Sequence, residues 1–411
     1  MNSERILNKM MESDILIKLA SVFGKKLSDL KMNQQPEKGL KSKSDFEHLK
    51  KVLLRETTDG PVPIVEMMSD PELMAKAMGW EDFPIDMAKA IMWSVAPLDN
   101  LKTLWAGFQF LELIITFSKT MGYDYATTWP YVPIPRTYHE ADIAEKHGGK
   151  WRIWQDESKG IISDRAAFEA FPWPEPDDIG LFPVKYMANR LPEGMKVMVF
   201  QWGIFEDLKL LMGLENLAIK SIEEPQLVID IAEKLTVLAE EALSRSCSLK
   251  RVGGVFMAED MGFKQGTMLN PRFMREHIIP RQKRIVDVVK KSNLPFVLHS
   301  CGNIEAIMED LINTVGIDAK HSFEDNICPV EKMFEKYHSK LAILGGLDMD
   351  LLTRGKEDDV RKRTRQILET CAPHGGYAMG SGNTLASYVP LNNYYAMIDE
   401  TKKFNHNRSM E

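Results

Sequence analysis

The sequence predicts a (β/α)8 TIM barrel with an N-terminal helical extension and with insertions after the first two strands. Three observations favour this fold class: a length of 411 residues, eight short apolar segments that alternate with helical stretches, and the continuous apolar character of those segments. One barrel needs about 250 residues and tolerates insertions. Strands without polar alternation are typical of a parallel sheet that is buried on both faces.

The chain divides into a helical extension, residues 1–58, and a barrel, residues 59–411. Apolar residues between Ile6 and Leu19 recur with helical spacing, and the polar stretch 33–44 is typical of a linker. The barrel begins with the first of eight predicted strands. The eight strands are residues 62–66, 123–128, 196–201, 253–257, 295–299, 319–322, 341–346 and 377–380.

Helices are predicted between several of these strands. Residues 303–313 carry apolar side chains at helical spacing, with Asn303 as a cap and Gly316 just beyond the end. Asn270 and Pro271 begin a second helix, and residues 356–370 form a third. The long segments after the first two strands are expected to hold extra helices, and residues 151–154 and 160–163 are predicted to pair as a hairpin.

Composition excludes several classes of protein. The chain has 52 basic and 59 acidic residues and a net charge of −7, so it lacks the basic excess that neutralises nucleic-acid phosphates. The most apolar stretch, 108–117, is about half of a membrane span. Four cysteines are too few for a disulfide framework, and no secretory leader is recognisable. A cytoplasmic protein that acts on small molecules is therefore expected.

Seven of the eight predicted strands end in polar or ionisable residues. The carboxyl ends of barrel strands meet at one rim, where reacting groups gather. Five of these strand-end side chains are expected to contact substrate: Glu66, Gln201, His321, Asp348 and Asn383. Glu259 and Asp260 follow the fourth strand, and because neighbouring strand residues point to opposite faces, one of them should face the pocket. Asp260 is the first candidate for an acid–base group, and Glu259 is the second.

His299 and Cys301 follow the fifth strand, two residues apart. An imidazole and a thiolate at this spacing can bind one cation, and zinc fits best because its catalytic sites use about three protein ligands. Glu324, after the next strand, is the candidate third ligand, with Cys328 and His321 as alternatives. A buried histidine beside an unreactive cysteine would give the same pattern, since two ligands do not make a site.

Several segments together resemble the uroporphyrinogen decarboxylase superfamily, over about residues 60–400. They include Gly253-Val-Phe-Met-Ala-Glu-Asp-Met-Gly262, Pro295-Phe-Val-Leu-His-Ser-Cys-Gly-Asn303 and Gly345-Gly-Leu-Asp348. One branch of this superfamily decarboxylates uroporphyrinogen without a metal and carries an arginine-rich N-terminal motif, where this chain has Val62-Pro-Ile-Val-Glu-Met-Met-Ser69. The other branch contains zinc methyltransferases that transfer methyl groups between a corrinoid protein and a thiol or folate.

The resemblance to the methyltransferase branch implies a ligand set. Its zinc ligands are a His-x-Cys pair, a nearby glutamate and a late cysteine. His299 and Cys301 match the pair and Glu324 matches the glutamate, but Asn383 stands at the position of the late cysteine. The resemblance further implies zinc, cobalamin carried on a partner corrinoid protein, a small-molecule methyl donor or acceptor such as an ether, a thiol or tetrahydrofolate, and a homodimer.

Three functions stay open at this point. The first is a corrinoid-dependent methyltransferase. The second is a metal-independent lyase that acts on a carboxylated substrate. The third is a barrel without catalytic activity that binds a tetrapyrrole or a corrinoid protein. Zinc content and dependence of activity on metal would separate them.

Overall fold

The computed structural model describes residues 44–410, apart from residues 81, 87, 89–100, 136–137, 143–150 and 156–159. Most of the predicted helical extension therefore lies outside the described residues, and its boundary at residue 58 stays a prediction. None of the helices in the described part of the chain has the length and hydropathy that crossing a membrane requires.

Seven parallel strands form one sheet in the order β1-β4-β5-β6-β7-β8-β9, and β2 and β3 form a separate antiparallel hairpin. The strands are β1 Tyr125–Thr128, β2 Tyr138–Asp142, β3 Trp151–Gln155, β4 Lys196–Trp202, β5 Val252–Ala258, β6 Phe296–His299, β7 Ala319–His321, β8 Ala342–Leu344 and β9 Tyr377–Ala378. Seven of the eight predicted strands are thus present. The hairpin prediction chose the wrong partner, because residues 151–155 pair with 138–142, whereas the Ile162 N–H donates to the Leu211 carbonyl at the end of a helix.

Helices connect the strands and cover the outside of the sheet. They are α1 Phe46–Leu53, α2 Pro71–Ala77, α3 Leu101–Met121, α4 Arg165–Ala170, α5 Phe182–Arg190, α6 Ile204–Met212, α7 Leu214–Glu223, α8 Pro225–Cys247, α9 Pro271–Phe273, α10 Ile279–Lys290, α11 Met308–Asp310, α12 Val330–Tyr337, α13 Met349–Arg354, α14 Glu357–Cys371 and α15 Leu391–Arg408. The helices predicted to begin at Asn270 and to span residues 356–370 are confirmed at α9 and α14. The predicted helix 303–313 is a continuous run of 3-10, α and π turns over residues 305–315, of which α11 is the α-helical part. Asn270 accepts the Arg272 N–H as a cap, and Gly316 ends its helix in the left-handed conformation.

The sheet curls around an apolar interior. One buried cluster contains side chains from all seven strands, including Tyr125, Phe200 and Phe256, together with Val65. Helix α1 lies at the amino end of the strands and adds Phe46 to this cluster. A Cβ atom on Gly253 would lie 2.3 Å from the Phe46 ring, so a residue without a side chain is required there. Helix α1 therefore closes one end of the interior.

The first predicted strand does not form a regular ladder, and this departs from a complete eight-stranded barrel. Only Ile64 forms a parallel bridge, to Met379 after β9. Pro61 and Pro63 have no N–H, so this segment offers few donors to a ladder. On its other side, the Tyr125 hydroxyl accepts the Glu66 N–H at 2.9 Å and donates to the Glu66 carbonyl at 2.7 Å. A side chain thus joins Glu66 to β1, across what we call the seam.

Replacing Tyr125 with phenylalanine should test the seam. The variant Tyr125→Phe leaves the buried N–H and C=O of Glu66 without this partner, so we expect the free energy of unfolding to fall by about 1–3 kcal/mol. Denaturant unfolding followed by circular dichroism measures the change. Tyr388→Phe removes the hydroxyl of an exposed tyrosine and is the matched control. Equal stability of both variants and the parent would contradict the bridging role of Tyr125.

Candidate metal centre

Three of the predicted site residues meet at the carboxyl ends of β5 and β6. Parallel pairing places Ala258 beside His299, and the Glu259 N–H donates to the His299 carbonyl at 2.9 Å. His299 Nε2 lies 3.4 Å from Cys301 Sγ and 3.7 Å from Asp260 Oδ1. One potential ligand atom from each of the three residues lies within 4.8 Å of the other two. We call Asp260, His299 and Cys301 the triad.

The two loops that carry the triad interlock. The Asn303 N–H donates to the Phe263 carbonyl at 2.7 Å, and the Cys301 N–H donates to Asp260 Oδ1 at 2.7 Å. Gly302 has a φ of +75°, and a Cβ atom there would lie 2.1 Å from the Gly262 carbonyl oxygen. Glycine is therefore needed both for this backbone conformation and for the close approach of the loops.

Burial determines the protonation states of the His299 imidazole and the Cys301 thiol. It lowers the pKa of His299 to about 4. Burial, and to a smaller extent the Asp260 carboxylate, raises the pKa of the Cys301 thiol well above its usual range. Without a cation, a neutral imidazole and a neutral thiol are thus favoured. A bound zinc ion would reverse the preference of the thiol, because a coordinating thiol loses its proton.

The hydrogen bonds of His321 determine which nitrogen of His299 carries hydrogen. His321 Nε2 lies 3.2 Å from the Ser381 carbonyl oxygen, which can only accept, so Nε2 is protonated. Burial lowers the pKa of His321 well below its usual range, and the neutral ring then has an unprotonated Nδ1. His299 Nδ1 lies 2.8 Å from that atom and must donate to it. His299 Nε2 is consequently unprotonated, and its lone pair faces Cys301 and Asp260.

Two polar side chains surround the Cys301 sulfur. Asn383 Nδ2 donates to Sγ at 3.3 Å, and its Oδ1 accepts the Thr384 N–H, which fixes the orientation of the amide. The Ser322 hydroxyl lies 3.3 Å from the same sulfur. Asn383 therefore contacts the triad as a hydrogen-bond donor.

The donor set fits zinc. A tetrahedral zinc ion with bonds of about 2.0–2.3 Å holds its ligand atoms roughly 3.3–3.6 Å apart. The separations from His299 Nε2, 3.4 and 3.7 Å, are close to that range. One nitrogen, one sulfur and one carboxylate oxygen leave a fourth position open, as catalytic zinc sites do.

Glu324 does not join the triad. It is exposed, and its backbone carbonyl accepts the N–H groups of Ile327 and Cys328 in a turn. Ser322, with a φ of +81°, turns the chain away from the strand direction just before it. Asp260 stands with His299 and Cys301 in its place, although the sequence suggested Asp260 as an acid–base group.

Glu259 points away from the triad and holds a helix. Its carboxylate accepts the N–H groups of Phe205 and Glu206 at 3.1 and 3.0 Å, at the amino end of α6. It also accepts from Gln282 Nε2 at 2.8 Å. Burial raises the pKa of Glu259 to about 7, and these hydrogen bonds oppose the shift. Its contacts are those of a buried anchor between β5 and α6.

The remaining predicted substrate residues differ in their surroundings. Gln201 is buried and donates to the Trp202 carbonyl. Asp348 caps α13 by accepting the N–H groups of Asp350 and Leu351. Glu66 lies against Ser381, whose N–H donates to Oε1 at 2.9 Å and whose Oγ lies 2.5 Å from Oε2.

Sequence reasoning missed Lys320. This lysine lies inside β7, 2% exposed, and its ammonium donates to the carbonyls of Ser300, His321 and Ser322. Burial lowers its pKa to about 8. A lysine in the middle of a predicted strand, between Ala319 and His321, was the available signal. Its positive charge lies close enough to Cys301 to oppose the rise in the thiol pKa.

A partly open cavity lies at the seam, between residues 66–69 and the end of β1. Its walls are mainly apolar and include Met68, Phe110, Phe117 and Trp129, with Glu66 among the polar groups. A second, partly open cavity shares Trp129 and includes Gln201 and Trp202. The triad lines neither of these two cavities.

Comparisons with known proteins identify a family and similar relatives. The sequence model of the uroporphyrinogen decarboxylase (URO-D) family matches residues 177–404. Over 142 residues the chain is 28% identical to the methylcobamide:CoM methyltransferase MtbA of Methanosarcina mazei and 25% identical to MtbA of Methanosarcina acetivorans. Each match covers 33% of this chain and 38% of the relative, so the aligned region spans well under half of those proteins.

A solved structure has a similar fold. It is described as a methyltransferase from Methanosarcina mazei and superposes with a TM-score of 0.66, covering 88% of this chain and 99% of that chain. The sequence identity is 15%, so the likeness concerns the fold alone.

The buried carboxyl group of Glu66 makes stability depend on pH. Burial raises its pKa from 4.5 to about 8, with the Ser381 hydrogen bonds opposing. The folded protein thus retains a proton that the unfolded chain releases, and the resulting stability is full below pH 4.5 and is lost as pH rises through 8. Glu66→Gln stays neutral. We expect the parent to lose stability relative to Glu66→Gln between about pH 5 and 8, by about 1.4 kcal/mol for each pH unit.

Denaturant unfolding at several pH values measures this difference, because the other titrating groups are common to both proteins. Glu324→Gln, which changes an exposed carboxyl group, is the control and should follow the parent. Parallel curves for the parent and Glu66→Gln would show that Glu66 does not hold its proton in the folded state.

Proposed function

Because the chain belongs to the uroporphyrinogen decarboxylase (URO-D) family, we propose that it is a zinc-assisted methyltransferase that exchanges a methyl group with a corrinoid. The family model matches more than half of the chain, and the matched curated relatives are methyltransferases. The observation that carries the proposal is the convergence of Asp260, His299 and Cys301 within 4.8 Å. A decarboxylase that works without metal could use Asp260 and His299 as acid–base groups, but it would not require the Cys301 thiol beside them.

In this proposal Asp260 supplies the third zinc ligand. The resemblance to zinc methyltransferases implies a late cysteine, and this chain has Asn383 there. Asp260 Oδ1 is already held near the other two donors by the Cys301 N–H, at 2.7 Å. One thiolate and one carboxylate give the same total charge as two thiolates, so the centre keeps its charge balance with a harder ligand.

The side chains around the triad have distinct tasks. His299 offers its Nε2 lone pair, and Asn383 donates to the Cys301 sulfur at 3.3 Å, which reduces the electron density that sulfur can give a metal. Lys320 offsets the negative charge of the deprotonated thiol. When bound, zinc supplies Lewis acidity, which lowers the pKa of an incoming thiol or polarises an ether oxygen.

The partners follow from the same proposal. The matched relatives are named as methylcobamide:CoM methyltransferases. For this chain we propose cobalamin carried by a partner corrinoid protein as one reactant, and a methyl ether, a thiol or tetrahydrofolate as the other. A homodimer and a cytoplasmic location stay predictions from the sequence.

Zinc content tests the ligand assignment. Protein dialysed against buffer with excess zinc, then against metal-free buffer, should retain about one zinc per chain by mass spectrometry. His299→Ala combined with Cys301→Ala should retain none, and Asp260→Ala should bind at least 10-fold more weakly because one of three ligands is missing. Glu324→Ala is the matched carboxylate control and should retain zinc. Loss of zinc in Glu324→Ala, with retention in Asp260→Ala, would return the third ligand to Glu324.

Activity tests the reaction. Methylcobalamin serves as a soluble probe for the corrinoid, with a simple thiol or tetrahydrofolate as acceptor, and the change in cobalamin absorbance follows methyl transfer. We expect the rate to fall at least 100-fold when zinc is removed, because zinc activates the acceptor, and to recover when zinc is returned. Release of CO2 from a carboxylated tetrapyrrole by zinc-free protein would favour the lyase. Binding of the tetrapyrrole or corrinoid without turnover would favour a binding protein.

A further inference from the structure

We propose that Ser381, held by a neutral Glu66, is a positioning residue that orients two side chains of the triad, His299 through His321 and Cys301 through Asn383. This inference rests on the proposed zinc site, but the orientation of these side chains can be measured in the zinc-free protein. Glu66 is then a carboxylic acid that supports the centre and not a carboxylate that grips substrate.

The first branch runs through His321. The Ser381 carbonyl oxygen lies 3.2 Å from His321 Nε2, and His321 Nδ1 lies 2.8 Å from His299 Nδ1. Both rings are at most 3% exposed, so water offers no alternative partner. Because a carbonyl only accepts, the hydrogens along this branch all point from His299 toward Ser381. The lone pair of His299 Nε2 is left for the cation.

The second branch runs through Asn383. The Ser381 hydroxyl lies in hydrogen-bond contact with the Asn383 carbonyl oxygen, and the Asn383 amide donates to Cys301 Sγ at 3.3 Å. Ser381 is 0% exposed. The serine thus fixes the backbone from which the amide reaches the sulfur, although Asn383 and Cys301 are 82 residues apart.

Counting hydrogens assigns the proton of Glu66. A serine hydroxyl has one hydrogen, yet Ser381 Oγ contacts both the Asn383 carbonyl and Glu66 Oε2, the latter at 2.5 Å. The carbonyl can only accept, so the serine hydrogen goes to Asn383. The hydrogen between Oγ and Oε2 must then come from Glu66. The other oxygen, Oε1, accepts the Ser381 N–H at 2.9 Å.

A carboxamide can form the same two hydrogen bonds with Ser381 as the neutral carboxylic acid of Glu66. In Glu66→Gln the amide nitrogen donates to Ser381 Oγ and the amide oxygen accepts the Ser381 N–H. Glu66→Leu has a similar size but neither function. Likewise, His321→Asn keeps an acceptor near the His299 Nδ1 position, whereas His321→Leu does not. These two pairs separate hydrogen bonding from packing.

Zinc affinity, measured by competition with a chromophoric chelator, is the first readout. We expect His321→Leu to bind zinc 10–100-fold more weakly and Glu66→Leu about 10-fold more weakly, because the supports of metal ligands change affinity by such factors. Glu66→Gln should stay within about threefold of the parent. His321→Asn keeps the acceptor for His299 Nδ1 but loses the donor to the Ser381 carbonyl, so its zinc affinity should fall between those of the parent and His321→Leu. Tyr125→Phe also weakens the seam but leaves the Glu66 side chain intact, so its zinc affinity should match the parent. Equal losses in Glu66→Gln and Glu66→Leu would overturn the proposal.

Histidine tautomers are the second readout, and they need no metal. Nitrogen-15 NMR of zinc-free protein, assigned with His299→Ala and His321→Asn, should show His299 protonated at Nδ1 and His321 at Nε2. His299 protonated at Nε2 would overturn the proposal whatever zinc does. If the parent binds no zinc but shows the expected tautomers, the proposed function fails and the positioning role of Ser381 stands.

Discussion

The register of three neighbouring parallel strands determines where the candidate metal centre can lie. Ala258, His299 and His321 pair in sequence across β5, β6 and β7, so the residues that come after these strands emerge at one level. A slip of one residue would turn His299 from the interior to the helical layer, because successive side chains point to opposite faces. The triad, the imidazole pair and the enclosed lysine all depend on this alignment.

Local patterns predicted the groups that lie directly at strand ends and missed those that depend on turns and distant segments. The proximity of Asp260, His299 and Cys301 could be inferred because adjacent parallel strands end together. Glu324 could not be excluded, because nothing in the sequence marks Ser322 as a residue with a left-handed backbone. The contact of Asn383 with the Cys301 sulfur joins distant parts of the chain and has no local signature.

The same distinction applies to the fold. Most of the seven strands were predictable from their apolar character, since burial on both faces leaves a clear pattern. The first predicted strand had that character too, but its prolines limit backbone pairing, and a tyrosine hydroxyl completes the seam instead. The partner of residues 151–155 depends on which segment returns to them, and apolar patterning does not contain that information.

The contact between Gly262 and Gly302 has a consequence for how the site could change. Because the two loops contact each other through their backbones, the Asp260 carboxylate on one loop and the Cys301 sulfur on the other are held in a fixed relative position. Replacing either loop alone, in evolution or in design, would therefore separate these two potential metal ligands. Transfer of this chemistry to another scaffold would require both loops together. Variation in specificity is easier in residues outside these two loops.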